Sequence, residues 1–293
     1  MDKIKPFIKW VGGKTQLITD IIKNLPKDKL TITTYIEPFI GGGSVLFNIL
    51  NYFPNLNNVI INDFNPILIN SYLYIKNNPG ELINKLSILQ KLYYNSNNKS
   101  ELYYDIRNKF NSNNILLQDK ISYFIFLNKT CFNGLYRENK SGYFNVPFNN
   151  AKTPEFYNEE NILNISNFLN KYNVQCHNKS YEYIQDYITS NSFVYLDPPY
   201  RPITKSSAFT AYTKSGFNDE SQKQLKLFCD EINNKNSYFL LSNSDPKNTD
   251  VTDNFFDDLY KDYNILRVKA KRNINSKGDK RGEINEIMIK NYN

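Results

Sequence analysis

Short apolar runs that end on an acidic residue mark the strands of this chain. From residue 33, "TTYIEPF" reads as a strand, Gly41-Gly42-Gly43 as a turn and "SVLFNIL" as a helix; a second strand, "NVIIND", ends at Asp63. Two such strands joined through a helix open a doubly wound α/β sheet. From residue 66 to about 130 the apolar spacing is helical ("PILINSYLYIK", "GELINKLSILQKLYY", "ILLQDKISYFIFLNK"), with no strand among these segments. "LYRENKSGYFNV" then reads as a β-hairpin turning at Lys140-Ser141-Gly142. After Pro154 the alternation returns: a helix to about Asn170, strand "NVQCHN", a helix, strand "SFVYLD", a helix from Asp219, strand "SYFLLSNS" and another helix. "YNILRVK" and "NEIMIKNY" close the chain as a strand pair. The pattern predicts an α/β domain in two parts, 1–65 and 156–293, interrupted by a mostly helical insertion, 66–155, that carries a hairpin over 132–148. In such sheets ligands bind outside the carboxyl ends of the strands. Glu37, Asp63 and Asp197 all fall at predicted strand ends, so the crevice is expected there.

Composition narrows the function classes. A length of 293 residues suits one large domain or two modest ones, and 40% hydrophobic with 22% charged residues is neither a disordered nor a fibrous composition. A net charge of +7 suits a polyanionic partner without identifying it. Cys131, Cys176 and Cys229 lie far apart with no metal-ligand spacing, which points to a reducing cytoplasm rather than a disulfide framework. His177 is the one histidine, so a zinc site or a histidine-based triad is not expected, and His177 is assigned to structure. The opening "MDKIKPFIKW" lacks a signal peptide's apolar run, and no stretch approaches membrane-spanning length.

Three motifs carry candidate chemistry. "KWVGGKTQL" fails as a P-loop, because the first glycine that motif needs falls on Ile8. "EPFIGGGS" follows a strand and opens a helix, and glycines such as Gly41 and Gly43 let backbone approach a ligand beside helix N-terminal amides. A dinucleotide fingerprint would want glycine where Leu46 stands. Asp63, twenty residues after Gly43, is placed to grip ribose hydroxyls; its plainer reading is an N-cap ahead of "FNPIL". With Glu37, these residues favour a nucleoside site.

"DPPY" is the third motif. A ring-conjugated amino nitrogen is a poor nucleophile because its lone pair is delocalised. A carboxylate, Asp197, and a carbonyl, that of Pro198, can accept both of its N–H hydrogens and pull it toward tetrahedral geometry. Pro198 and Pro199 fix φ and remove competing N–H donors. Tyr200 offers a flat face on which a planar base can stack. A mere proline-terminated strand end explains neither the charge nor the ring.

In the order "KWVGGK", "EPFIGGG", "INDFN", "FNGLYR…GYFNVPF", "VYLDPPY", "SAFTAYT…GF", "LLSNS" and "GDKRGEINEIMI", the chain resembles the Dam family of DNA adenine-N6 methyltransferases over nearly its whole length. The resemblance implies a Rossmann-like methyltransferase sheet whose insertion is a target-recognition domain. It implies S-adenosyl-L-methionine as cofactor, with Trp10, Lys14, Asp63 and Asp197 in contact with it, and S-adenosyl-L-homocysteine as product. It implies Lys9 against a base of the target, no metal, no covalent intermediate, and direct transfer to an adenine taken out of the duplex. Double-stranded DNA is then the expected partner, a cytoplasmic monomer the expected state, and a restriction–modification role one of the open settings.

"CFNGLYRENKSGYFNVPF" is the expected DNA reader. Arg137 can fork onto guanine O6 and N7, the commonest specific major-groove contact. Leu135 and Pro147 can meet a thymine methyl, and Phe132, with Asn133 beside it, can wedge between bases. An exposed hairpin stapled by aromatics is the plainer reading; the family's readers of GATC share the pattern, so GATC is the expected target. Seven basic residues in 267–282 suit phosphate contact or a solvated loop, and 201–217, rich in Ser, Thr and Tyr, reads as a mobile loop over the crevice. Rival readings keep the fold on RNA or on protein glutamine, the latter usually with asparagine where Asp197 stands, or make the chain a silent DNA binder or a nuclease.

Overall fold

A computed structural model of the protein describes residues 4–150, 152–201, 217–271 and 283–293. Most of the two loops singled out above, at 201–217 and 267–282, lies outside the described residues. Seven strands, β1 (Thr34–Glu37), β2 (Asn58–Asn62), β3 (Gln175–His177), β4 (Ser192–Leu196), β5 (Tyr238–Ser244), β6 (Asn264–Lys271) and β7 (Glu283–Lys290), form one sheet in the order β3-β2-β1-β4-β5-β7-β6. β1 runs parallel to β2 and β4, and β4 parallel to β5; β7 is antiparallel to both β5 and β6. This is the expected α/β fold with its closing antiparallel pair. Chain order reverses across β1, which has β2 on one side and β4 on the other, and such a switch point is where an open sheet leaves a crevice. Every residue of β1 and β4 is buried, the mark of parallel strands covered on both faces.

The chain divides into two compact units. One comprises Lys14–Ile40, Asn48–Phe64 and Lys179–Asn293. It carries α1 (Ile18–Lys23), α8 (Asp219–Asn234) and α9 (Phe255–Leu259). Asn218 caps α8 by accepting from the Ser221 amide, and Asp219 and Glu220 in the first turn complement the helix dipole. Leu225, Phe228, Cys229 and Ile232 then recur on one face and pack with Val194, Leu196, Phe239, Leu241, Ile287 and Ile289 of the sheet.

The other unit comprises Met1–Gly13, Gly41–Phe47 and Asn65–Asn178. It holds α3 (Pro66–Asn77), α4 (Pro79–Asn95), α5 (Lys99–Phe110), α6 (Leu117–Thr130) and α7 (Glu159–Lys171). The expected insertion, 66–155, falls within this unit. α5 is a helix the apolar spacing did not single out; Asn98 starts it by accepting from the Glu101 amide. The N-cap of α3 is Asn65, whose side chain accepts from Ile67 and Leu68 ahead of Pro66 in the first turn. That takes the capping role considered for Asp63. Tyr93, Tyr103, Phe126 and Phe156 are fully buried and form an aromatic core, with Tyr103 donating to the Val146 carbonyl at 2.7 Å.

The 132–148 segment turns where expected, but as a stapled loop rather than a strand pair. Its ladder reduces to two isolated bridges, Cys131 with Phe148 and Glu138 with Phe144. The Asn111 side chain takes both backbone groups of Phe144, and the Asn139 side chain closes the turn onto the Ser141 and Tyr143 amides. Side chains thus satisfy backbone groups that a regular ladder would otherwise pair. Among the described residues no helix is long and apolar enough to cross a membrane.

Candidate active site

β4 ends at Leu196, and Asp197 follows at the sheet's switch point. The turn behind it is held by a chain of amides. The Pro199 carbonyl accepts from Gln222 at 3.3 Å, Asn243 donates to Gln222 at 3.1 Å, and the Arg201 amide donates to Asn243 at 3.2 Å. Gln222 and Asn243 are fully buried, so the turn is tied to α8 and β5 rather than to solvent. Arg201 then bridges Asp219 and Asp253, each at 2.6 Å, over the ring of Phe255.

Lys14 reaches Asp197 with Nζ 2.7 Å from Oδ1; the lysine is 4% exposed and the aspartate 20%. The same ammonium lies 4.7 Å from the centroid of the Tyr200 ring. Tyr200 donates its hydroxyl to Glu286 of β7 at 2.5 Å. Burial pushes the Asp197 carboxyl up to about 6; Lys14 opposes that rise and Glu286 adds to it. Burial, Asp197 and Glu286 together hold the Tyr200 phenol well above its ordinary range, so it stays protonated and donating.

At the neighbouring strand ends, Glu37 is 2% exposed and accepts from the Tyr35 hydroxyl at 2.6 Å. Asp63 follows Asn62, whose side chain donates to the Pro38 and Lys179 carbonyls and accepts from the Lys179 amide. Lys14, Glu37, Asp63, Asp197 and Tyr200 therefore all belong to the sheet unit, the acids at carboxyl ends of parallel strands. Sequence reading assigned no role to Glu286, Gln222 and Asn243: Gln222 stands in no motif, and Asn243 in "LLSNS" and Glu286 in "GDKRGEINEIMI" act only through distant partners.

In the helical unit, packing sets the space around the glycine turn. Gly41 and Gly43 adopt φ of +48° and +74°. A Cβ at Gly41 would lie 2.8 Å from the Trp10 ring, and one at Gly43 would lie 2.6 Å from the Tyr72 hydroxyl. The close approach these glycines permit is therefore, within this unit, to two of its own rings; Tyr72 also donates to the Gly41 carbonyl at 3.0 Å. The expected helix after the turn is α2 (Leu46–Ile49), one turn long and followed by a 3-10 turn, too short to present a helix dipole. Trp10 stacks on Tyr136 at 5.9 Å, and Tyr136 packs in turn on Phe124.

The expected DNA readers share this unit. Asn128, 2% exposed, accepts from the Lys9 amide and donates to the Lys9 carbonyl, both at 2.8 Å, and donates to the Gly134 carbonyl at 3.0 Å. Gly134 is forced by the same packing, since a Cβ there would fall 2.6 Å from Lys9 Cβ. One buried amide thus joins Lys9 to the turn that carries Phe132, Asn133 and Leu135, and nothing in the sequence marks it. Phe132, Asn133, Arg137 and Pro147 are exposed and Leu135 is half-buried. The Phe132 amide donates to the Pro147 carbonyl at 2.9 Å, and Arg137 Nε to Asn145 Oδ1 at 2.7 Å. Among the described residues no group of three or more His, Cys, Asp or Glu could hold a metal ion.

A strand-end carboxylate beside an aromatic face, with further acids at the adjoining strand ends, is the equipment of a transferase working on a planar nitrogen base. The chain belongs to the D12 class of N6 adenine-specific DNA methyltransferases, whose family model matches residues 10–274. It is 44% identical to the type II methyltransferase M.MjaIII of Methanocaldococcus jannaschii, over 99% of this chain and 100% of that one. It is 35% identical to the type II methyltransferase M1.LlaDCHI of Lactococcus lactis subsp. cremoris, over 99% and 96%. The DNA adenine methylase of Escherichia coli K12 is 32% identical over 98% and 95%. Among solved structures, a precorrin-6y C5,15-methyltransferase from Geobacter metallireducens overlaps at a TM-score of 0.37 and 9% identity, over 94% and 84%; a likeness that remote carries no argument.

Proposed function

We propose that the protein transfers a methyl group from S-adenosyl-L-methionine to N6 of an adenine turned out of duplex DNA, within the sequence GATC. The observation that carries this reading is the Asp197–Tyr200 corner at the end of β4, where a carboxylate and a ring already hold an ammonium, that of Lys14. An exocyclic amine on a planar base asks for the same pair of contacts. Asp197 and the Pro198 carbonyl accept its two N–H hydrogens, and Tyr200 supports the ring. The amide chain through Gln222 and Asn243 keeps that corner rigid, so catalysis rests on positioning and electrostatics.

The donor set fits the cofactor. Glu37 and Asp63 are acceptors suited to ribose hydroxyls, and carboxylates at three strand ends suit a cationic ligand. Lys14, Glu37, Asp63 and Asp197 would hold it, and it supplies an activated methyl on a positively charged sulfur. The helical unit, with Lys9 and the 132–148 loop, we assign to reading the target, with Arg137 on a guanine and Leu135 and Pro147 near a thymine methyl. Incubating a randomised duplex with labelled cofactor and sequencing the modified sites tests the reading: methylated adenine centred on GATC supports it, and label on RNA or on none of the duplexes overturns it.

Two expected results follow. Asp197 accepts as an anion and can take up the N6 proton only while ionised, and burial holds its carboxyl up at about 6. The single-turnover rate should therefore be full near pH 8 and fall as pH drops through about 6; a rate flat down to pH 5 removes the carboxylate from the step. Asp63→Ala removes a charge-assisted acceptor worth ~1.5–3 kcal/mol, which raises the cofactor dissociation constant at least about tenfold with little effect on cofactor-free duplex affinity. Calorimetry giving an unchanged cofactor affinity returns Asp63 to a structural role.

A further inference from the structure

We propose that Glu286 is a positioning residue for Tyr200: it fixes the ring and enriches its face, so that the ring can receive the positive charge that develops on the target base. The inference rests on the proposed reaction and assigns a role to a residue for which the sequence reading gave none.

Three observations carry it. The Tyr200 hydroxyl meets Glu286 Oε2 at 2.5 Å, within the range of a charge-assisted O–H···O bond. Glu286 is offered from a strand paired on both sides, opposite Ser244 of β5 and Val268 of β6, so its carboxyl cannot drift with a loop. The face of Tyr200 already holds a cation, since Lys14 Nζ stands 4.7 Å from the ring centroid while 2.7 Å from Asp197. An aromatic face attracts positive charge through its quadrupole, and a phenol that donates to a carboxylate has a more electron-rich ring.

The reaction produces such a charge. N6 uses its lone pair to form the new N–C bond, and the methyl–sulfur bond breaks with its electrons left on sulfur. The nitrogen and its conjugated ring are then positive until one N6 hydrogen leaves as a proton toward Asp197. Glu286 meets Tyr200 at its hydroxyl and also raises the Asp197 carboxyl; the positioning role assigned to it passes through the ring. Among the described residues, the charged and titratable groups that act on this cluster are Lys14, Glu37, Asp197, Tyr195 and Glu286.

The test compares Glu286→Gln, Tyr200→Phe and the double variant in the full-length protein, by single-turnover methylation of the best duplex substrate with saturating cofactor. Each single variant is expected to slow the step about tenfold while duplex and cofactor affinities stay within about twofold, and the double variant should be no slower than either single. Effects that multiply to about a hundredfold in the double variant mean that Glu286 does not act through Tyr200, and overturn the proposal. So does Glu286→Gln at the wild-type rate. Rates are compared near pH 8, above the acid limb, because losing the Glu286 charge also lowers the Asp197 carboxyl. Should Glu286→Gln fail to fold by thermal melting, Tyr200→Phe decides: a wild-type rate overturns the proposal, a tenfold loss upholds it. A wild-type protein that methylates no duplex refutes the proposed reaction instead, and that outcome is seen before any variant is made.

Discussion

Asp197→Ala abolishes methyl transfer in single-turnover assays while duplex affinity survives. The amine loses its principal acceptor, and removing a group that acts on a proton in the transition state lowers the rate by about 10²–10⁴-fold. The substitution also takes from Lys14, 4% exposed, the carboxylate 2.7 Å away. Asp197→Asn is therefore the companion variant, since it keeps the shape and tests the charge alone. The expected duplex affinity, by gel shift, is within about twofold of wild type, because the proposed DNA contacts lie in the other unit. Alanine with near-normal turnover would reduce "DPPY" to a strand terminator.

Arg137→Ala loses discrimination at one position of the target and little elsewhere. Asn145 holds the guanidinium through Nε at 2.7 Å, with the second terminal nitrogen 3.5 Å from the Asn145 carbonyl, so the fork is oriented in advance. A bidentate contact to a guanine edge contributes ~1–3 kcal/mol of discrimination, so preference there should fall by about five- to more than a hundredfold. A phosphate clamp behaves otherwise: its loss weakens every sequence alike and flattens the salt dependence by about one unit of slope. Methylation rates on four duplexes that differ only at the guanine opposite the last base of GATC, at two salt concentrations, separate the two roles. Uniform weakening demotes Arg137 and moves the search for specificity to Lys9 or Pro147.

Much of the sheet could be read from the sequence because β4, buried on both faces, appears as the unbroken apolar run Phe193–Leu196, and β1 is a short buried stretch ending on Glu37. Asp197 was legible for a related reason, since a charge at the end of such a run needs an explanation. Asn128, Gln222, Asn243 and Glu286 were not legible. Each acts on a residue many positions away, and local spacing holds no trace of that partner. The glycine turn falls between these cases. Its positive φ was predictable, but that Trp10 and Tyr72 take up the space a side chain would need is a tertiary fact. The 132–148 loop misled in a simpler way, because the asparagines at 111 and 139 replace ladder bonds with side-chain bonds that look like ordinary loop composition.

The clamp of Asn128 on Lys9 and Gly134 also bears on how the chain comes to be folded as it leaves the ribosome. The helical unit gathers three separated stretches, Met1–Gly13, Gly41–Phe47 and Asn65–Asn178. Its first stretch is synthesised before the other two, yet the amide that holds Lys9 is not made until residue 128. The Lys9 backbone must therefore wait through more than a hundred additions for that amide, although Gly41 and Tyr72, which pack on Trp10 and Phe7, are made earlier. For the same reason the unit has no pair of cut points: any contiguous fragment that keeps Asn128 with Lys9 also brings along β1 and β2. A single cassette spanning 66–155 would leave behind part of the seat of the 132–148 loop, because Lys9 is encoded upstream of β1 and β2.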